Sequence, residues 1–157
     1  MSSEERLAAK LSELKLMLPP AAEPKGVYKP LMIVGNLVYT SGHLPVRPDG
    51  TLITGRVGTD LDVHAGYLAA QLVGLGIIST LRKEFETLDN VLRLVKLFGV
   101  VNCTDDFTQQ PAVINGCSEL FAAVFGPTHG VAARSAIGTN TLPLGVPVEI
   151  EAIFELG

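Results

Sequence analysis

The chain has 157 residues and no Trp, a length that fits one domain with a core large enough to fold without disulfide or metal staples. Its 47% hydrophobic content excludes a disordered chain, and only 18% of its residues are charged, where a typical domain has about 25%. With a mean hydropathy of +0.36, apolar surface is expected either in a membrane or against partner subunits, and a net charge of -4 supplies no field for nucleic acid.

The N-terminus carries Glu4 and Glu5 where an export signal would be basic. With only Cys103 and Cys117, no disulfide framework is expected, and a cytoplasmic location is the default. Ser2 and Glu5 have capping-box spacing, and Leu7, Leu11, Leu14 and Leu18 follow at helical intervals. They predict a helix to about Lys15, stopped by Pro19 and Pro20. Two β-type runs, 28–34 and 37–41, flank Gly35-Asn36, a hairpin signal. Asp49-Gly50 then leads into an expected third short strand over 51–57.

A long helix is predicted over 60–85. Its stretch 63–81 has no formal charge and is just long enough to be weighed as a membrane span, but His64, Gln71, Ser79, Thr80 and three glycines interrupt it. A buried amphipathic helix is the better reading. On it Gly66, Ala70 and Gly74 recur every four residues, a stripe that allows close packing, most plausibly on a sheet. The strand over 91–103 reads with period two as Leu92, Leu94, Lys96, Phe98 and Val100 on one face and Val91, Val95, Leu97 and Val101 on the other. Both faces are largely apolar, so the face away from the helices also needs a cover. A helix over 110–125 and a strand over 131–137 follow. The last strand, 146–155, has Val148, Ile150, Ala152 and Phe154 on one face and Glu149 and Glu151 on the other. The pattern is that of an α+β domain with helices on one sheet face.

No nucleotide-binding loop occurs, the three histidines lack metal-ligand spacing, and the two cysteines are not CxxC, so no metal site is expected. Arg134 lies inside the small, apolar run VAARSAIG. It is either a strand-end cation reaching solvent or pairing with Glu149 or Glu151, or a planar fork for a substrate carboxylate. Glu149 and Glu151 read equally as a solvated strand face or as a group orienting water. Tyr28, Ser41 and Asn115 have bland readings as turn and core-edge residues, yet each offers hydrogen bonds to a small polar ligand.

Tyr28, the run VYTSGHLP with Ser41 and Gly42, DNVLRLVKLFGVVN, AVIN ending at Asn115, AARSA with Arg134 and VEIEAI with Glu149 together resemble the RidA (YjgF) family of enamine/imine deaminases. The similarity runs over residues 24–156. It implies a chorismate-mutase-like α+β fold, a mixed sheet with two helices on one face, forming a homotrimeric barrel with sites between subunits. Residues 1–20 then look like a helical extension to a single domain over 21–157. It also implies hydrolysis of 2-imino acids such as 2-iminopropanoate and 2-iminobutanoate to 2-keto acids and ammonia, without a cofactor. By motif, Arg134 would clamp the carboxylate and Glu149 would activate water, with Tyr28, Ser41, Gly42, His43, Asn115 and Ala136 lining the cleft. The family's usual Gln is here His43, and its common Cys is Ala136, which preserves any role played by the backbone carbonyl. A non-catalytic binder or sensor of small carboxylates is the alternative on the same fold, and ribonuclease action a third.

Overall fold

A computed structural model describes all residues, 1–157. Helix α1 (Ser3–Leu14) starts at the expected capping box: the Glu5 amide donates to Ser2 Oγ at 3.1 Å, and the Ser2 amide to Glu5 Oε2 at 2.7 Å. It ends before the two prolines, because Lys15 takes a left-handed conformation at φ 54°. Strands β1 (Leu31–Val34) and β2 (Leu37–Thr40) form the predicted hairpin, with Gly35 supplying the positive φ of the turn. The strand expected over 51–57 does not form. Gly55, at φ 125°, bends the chain out of extension, and only isolated bridges such as Val46 to Leu52 and Val57 to Cys103 remain.

Helix α2 (Val63–Phe85), strand β3 (Val91–Asn102), helix α3 (Gln110–Phe125), strand β4 (Ala133–Thr139) and strand β5 (Val148–Leu156) complete the fold. The sheet order is β1-β2-β5-β3-β4, antiparallel except for β3 and β4. A parallel pair needs a long crossover, which α3 supplies. Helices α2 and α3 cover one sheet face over a core of 28 residues, while α1 packs outside them against α3 and buries Leu7. Helix α2 is long and apolar enough to cross a membrane, yet 72% of its most apolar window is buried inside the protein.

The small-residue stripe on α2 serves a different neighbour from the one expected. Methyl groups at Gly66 and Gly74 would meet Val113, Leu120 and Cys117, so the stripe faces α3 rather than the sheet. At the reciprocal position on α3, a methyl group on Gly116 would lie 2.0 Å from the Tyr67 carbonyl oxygen. Outside this seam the Tyr67 hydroxyl donates to the Glu119 carboxylate, and burial, then Glu119, pushes the phenol pKa up to about 12.

Strand β3 departs from simple alternation. Register shifts between Val91 and Arg93 and between Leu94 and Lys96 turn Leu94 toward the helices with Val91, Leu97 and Val101, and leave Leu92 and Val95 exposed. The opposite sheet face carries Met32, Val34, Tyr39 and Ile137, each at least 41% exposed, alongside Glu149 and Glu151. That face, which also carries Lys96 and the Arg93–Glu155 ion pair, is uncovered within one chain and leaves these large apolar side chains exposed.

Candidate functional site

The sequence-selected residues fall into two groups. Arg134 on β4 stands in register with Leu97 of β3, so its side chain leaves the helix-covered face at the sheet edge. Its Nη1 donates to Asn115 Oδ1 at 2.7 Å and to Ser118 Oγ at 3.1 Å. Those acceptors are three residues apart on α3 and therefore share one helix face. Both are neutral, and Arg134 joins none of the protein's five ion pairs. No carboxylate compensates the guanidinium, and it keeps free N–H donors beside a cavity of about 220 Å³, walled by Leu94, Leu97, Val131 and Ala132. The pairing with Glu149 or Glu151 that the sequence left open does not occur. Ala136, two residues along β4, points the same way, opposite Gly99. Ser118 escaped the sequence reading, although its spacing from Asn115 was a usable signal. Cys117, next to it, is fully buried and burial pushes its thiol pKa up, so it is no nucleophile at neutral pH.

Glu149 belongs to the second group. It is paired with Val100, between the inward-facing Val148 and Ile150, and so projects from the uncovered face. A methyl group at Gly42 would lie 2.8 Å from its Cδ and Oε2, so glycine leaves the carboxyl room to lie against this backbone. Burial, and then the neighbouring charge of Glu151, hold the Glu149 carboxyl above its usual range. Ser41 ties the preceding loop in place: its hydroxyl donates to the Lys29 carbonyl and its amide to that of Pro30 at 2.8 Å. Half-exposed Tyr28 sits beside that anchor. His43 lies in the same segment, but its ring is buried and turned toward α2, so only its backbone borders the group.

Glu149 and Arg134 are not neighbours within one chain. They lie two strand spacings and three residues of register apart, roughly 14 Å between Cα positions, and they project from opposite sheet faces. A surface groove of about 610 Å³ lies elsewhere, between β1 and the end of α2, and contains neither residue.

The sequence pattern of the family described as "YjgF/chorismate_mutase-like, putative endoribonuclease" matches residues 4–152. The chain belongs to the YjgF/RidA family. Its match begins within α1, and its mixed α+β architecture is that of its family neighbours. This family member is 40% identical to protein TCP17 of Trypanosoma cruzi over 151 residues, 96% of this chain and 94% of that one. Among solved structures, protein Atu1372 from Agrobacterium tumefaciens is 38% identical with a TM-score of 0.90, over 99% of this chain and 95% of that one. Escherichia coli TdcF with bound serine is 25% identical with a TM-score of 0.58, over 88% and 93% of the two chains.

Proposed function

We propose that this YjgF/RidA-family protein hydrolyses small 2-imino acids to 2-keto acids and ammonia in a cleft between copies of the chain. The observation that carries the reading is Arg134, held in place by two neutral acceptors and left uncompensated beside a cavity of small-metabolite size. A planar guanidinium with free donors matches a carboxylate, and that recognition fixes the substrate by the end that does not react. The amino acid bound to TdcF is a small carboxylate of the same kind.

Glu149 supplies the second requirement, a base for water. An iminium carbon is already electrophilic, so orientation and proton removal are the main demands. Water adds to the carbon as its proton passes to Glu149. That proton then returns to nitrogen, and as the C–N bond breaks the new hydroxyl gives its proton to Glu149 and closes to the carbonyl; ammonia takes that proton, and ammonium and a keto acid leave. Because the clamp and the base project from opposite faces of one sheet, a single ligand can meet both only where two copies abut. The uncovered apolar face supports such an assembly, and closing three copies into a ring buries it in each.

Two measurements test the proposal. With 2-iminopropanoate generated in situ, ammonia release should exceed the spontaneous rate, and the native mass should be three times 16.6 kDa. An unaccelerated reaction, with keto acids still raising the melting temperature, would favour a carboxylate sensor. A monomer at assay concentration would remove the interfacial site.

The electrostatics of Glu149 give a further prediction. The base must be ionised to accept a proton, so the rate should fall on the acid side of a pKa held above the ordinary carboxylate range. Glu151→Gln removes the like charge and lowers that pKa. The acid limb of the rate profile is therefore expected to move to lower pH, and an unmoved limb would show that Glu149 is not the base.

A further inference from the structure

His43 has no task in the mechanism above, yet its environment is highly organised. Its ring is 4% exposed, with Nδ1 at 2.7 Å from the Ser41 carbonyl oxygen and Nε2 at 2.8 Å from Thr80 Oγ1 on α2. A carbonyl oxygen can only accept, so Nδ1 carries the hydrogen and Nε2 accepts from the Thr80 hydroxyl. Burial holds the imidazole below its usual pKa range, against the smaller opposing effect of the Ser41 bond, so this neutral tautomer is the resting form. The His43 backbone meanwhile exchanges hydrogen bonds of 2.8 and 3.2 Å with Ile150, the residue after Glu149. Segment 41–43 is thus tied to β5 through its backbone and to α2 through the ring. Gly42 lies between those ties, packed on the Glu149 carboxyl.

We propose that His43 is a positioning residue whose inward-turned ring pins the Ser41–Gly42 backbone against the Glu149 carboxyl and keeps water from that side of it. The inference rests on the reading of Glu149 as the base, but it can be measured without turnover. Around Glu149, β5 contributes Glu151 as the like charge. Strand β3 presents Val100 and Phe98, with Lys96 further along; β2 adds Tyr39, and β4 adds Ser135 and Ile137. The carboxyl's ionisation therefore reports on how tightly the Gly42 backbone covers it.

A side-chain amide carries a donor and an acceptor side by side, as the neutral imidazole does. Gln at position 43 can serve both Ser41 and Thr80, whereas Leu can serve neither. The experiment titrates the Glu149 carboxyl carbon by NMR, assigned with Glu149→Gln, in the wild type, His43→Gln and His43→Leu, and follows imine hydrolysis in parallel. The Gln variant is expected to titrate with the wild type and to keep kcat within about threefold. In the Leu variant Glu149 should titrate at lower pH, and kcat should fall roughly tenfold with KM little changed. Thr80→Val removes the donor to Nε2 while leaving His43 in place, and should shift the titration in the same direction by less; it decides the matter if His43→Leu does not fold. An unshifted titration in the Leu and Val variants, or a Gln variant shifted as far as Leu, overturns the proposal. If the wild type hydrolyses no imine, the deaminase reading fails while the titration still tests the role of His43.

Discussion

Arg134→Ala is expected to lower kcat/KM for imino-acid hydrolysis by about 10- to 150-fold, because a hydrogen bond to a charged group contributes about 1.5 to 3 kcal/mol. The effect should not come through folding. Arg134 is partly exposed on an edge strand, and its two bonds go to neutral acceptors that water can satisfy. The melting temperature should therefore change little. Arg134→Lys separates charge from shape: it keeps a cation at the sheet edge but loses the fork that can hold Asn115 and Ser118 while still presenting donors to a carboxylate. Lysine is expected to recover only part of the lost rate, mainly through KM. Full activity in Arg134→Ala, measured against substrate freshly generated in the assay, would remove the carboxylate clamp from the mechanism.

Gly116→Ala should have the largest effect on stability for the smallest chemical change. The added methyl would lie 2.0 Å from the Tyr67 carbonyl oxygen and 3.0 Å from the Gln71 amide nitrogen. Both are backbone atoms of α2, so no rotamer change relieves the clash and the two helices must separate. Overpacking typically costs about 1 to 3 kcal/mol, and a rigid backbone contact belongs at the upper end. For a chain of this size about 3 kcal/mol corresponds to a fall of roughly 6 to 12 °C in melting temperature. Gly76→Ala is the matching control. It lies in the same helix layer, but its methyl would meet only the Leu44 carbonyl oxygen at 4.0 Å, so the gain in helix propensity, up to about 1 kcal/mol, should dominate. Equal thermal shifts in the two variants would show that the α2–α3 seam is not as tight as the structure has it.

Much of the fold is legible in the sequence where signals are local. The Ser2–Glu5 capping box, the Gly35-Asn36 hairpin and the period-two pattern of β5 each predict the element that forms, because each is determined by residues within a few positions of one another. The errors lie where distant contacts decide. A run of apolar residues can shift phase at a bulge without leaving a mark in its composition, and so Leu94 changes faces on β3. Residues 51–57 have strand-like composition but no continuous partner strand, and Gly55 bends them away. The stripe on α2 announces a close approach without naming what approaches.

The candidate site divides in the same way. Arg134 stands out as a cation in an apolar run, and Asn115 and Glu149 are raised above their bland readings by the family resemblance, whereas Ser118 joins them when α3 is laid across the edge of β4. The sequence also leaves open whether Arg134 pairs with a strand glutamate. The sheet settles that, because alternate residues face opposite sides and the register places the two groups apart.

By itself, the sequence determined most of the element types, the α+β class and the unusual scarcity of charge, since composition and short-range periodicity are properties of the chain alone, and its motifs carried the resemblance to the family. The tertiary structure decided which face remains uncovered, what the glycines on α2 and α3 admit, and where the ring of His43 goes. It also decided that Arg134 and Glu149 look out from opposite sides of one sheet. Those facts depend on strand order, register and helix contact, which residues far apart in the chain establish only when they meet.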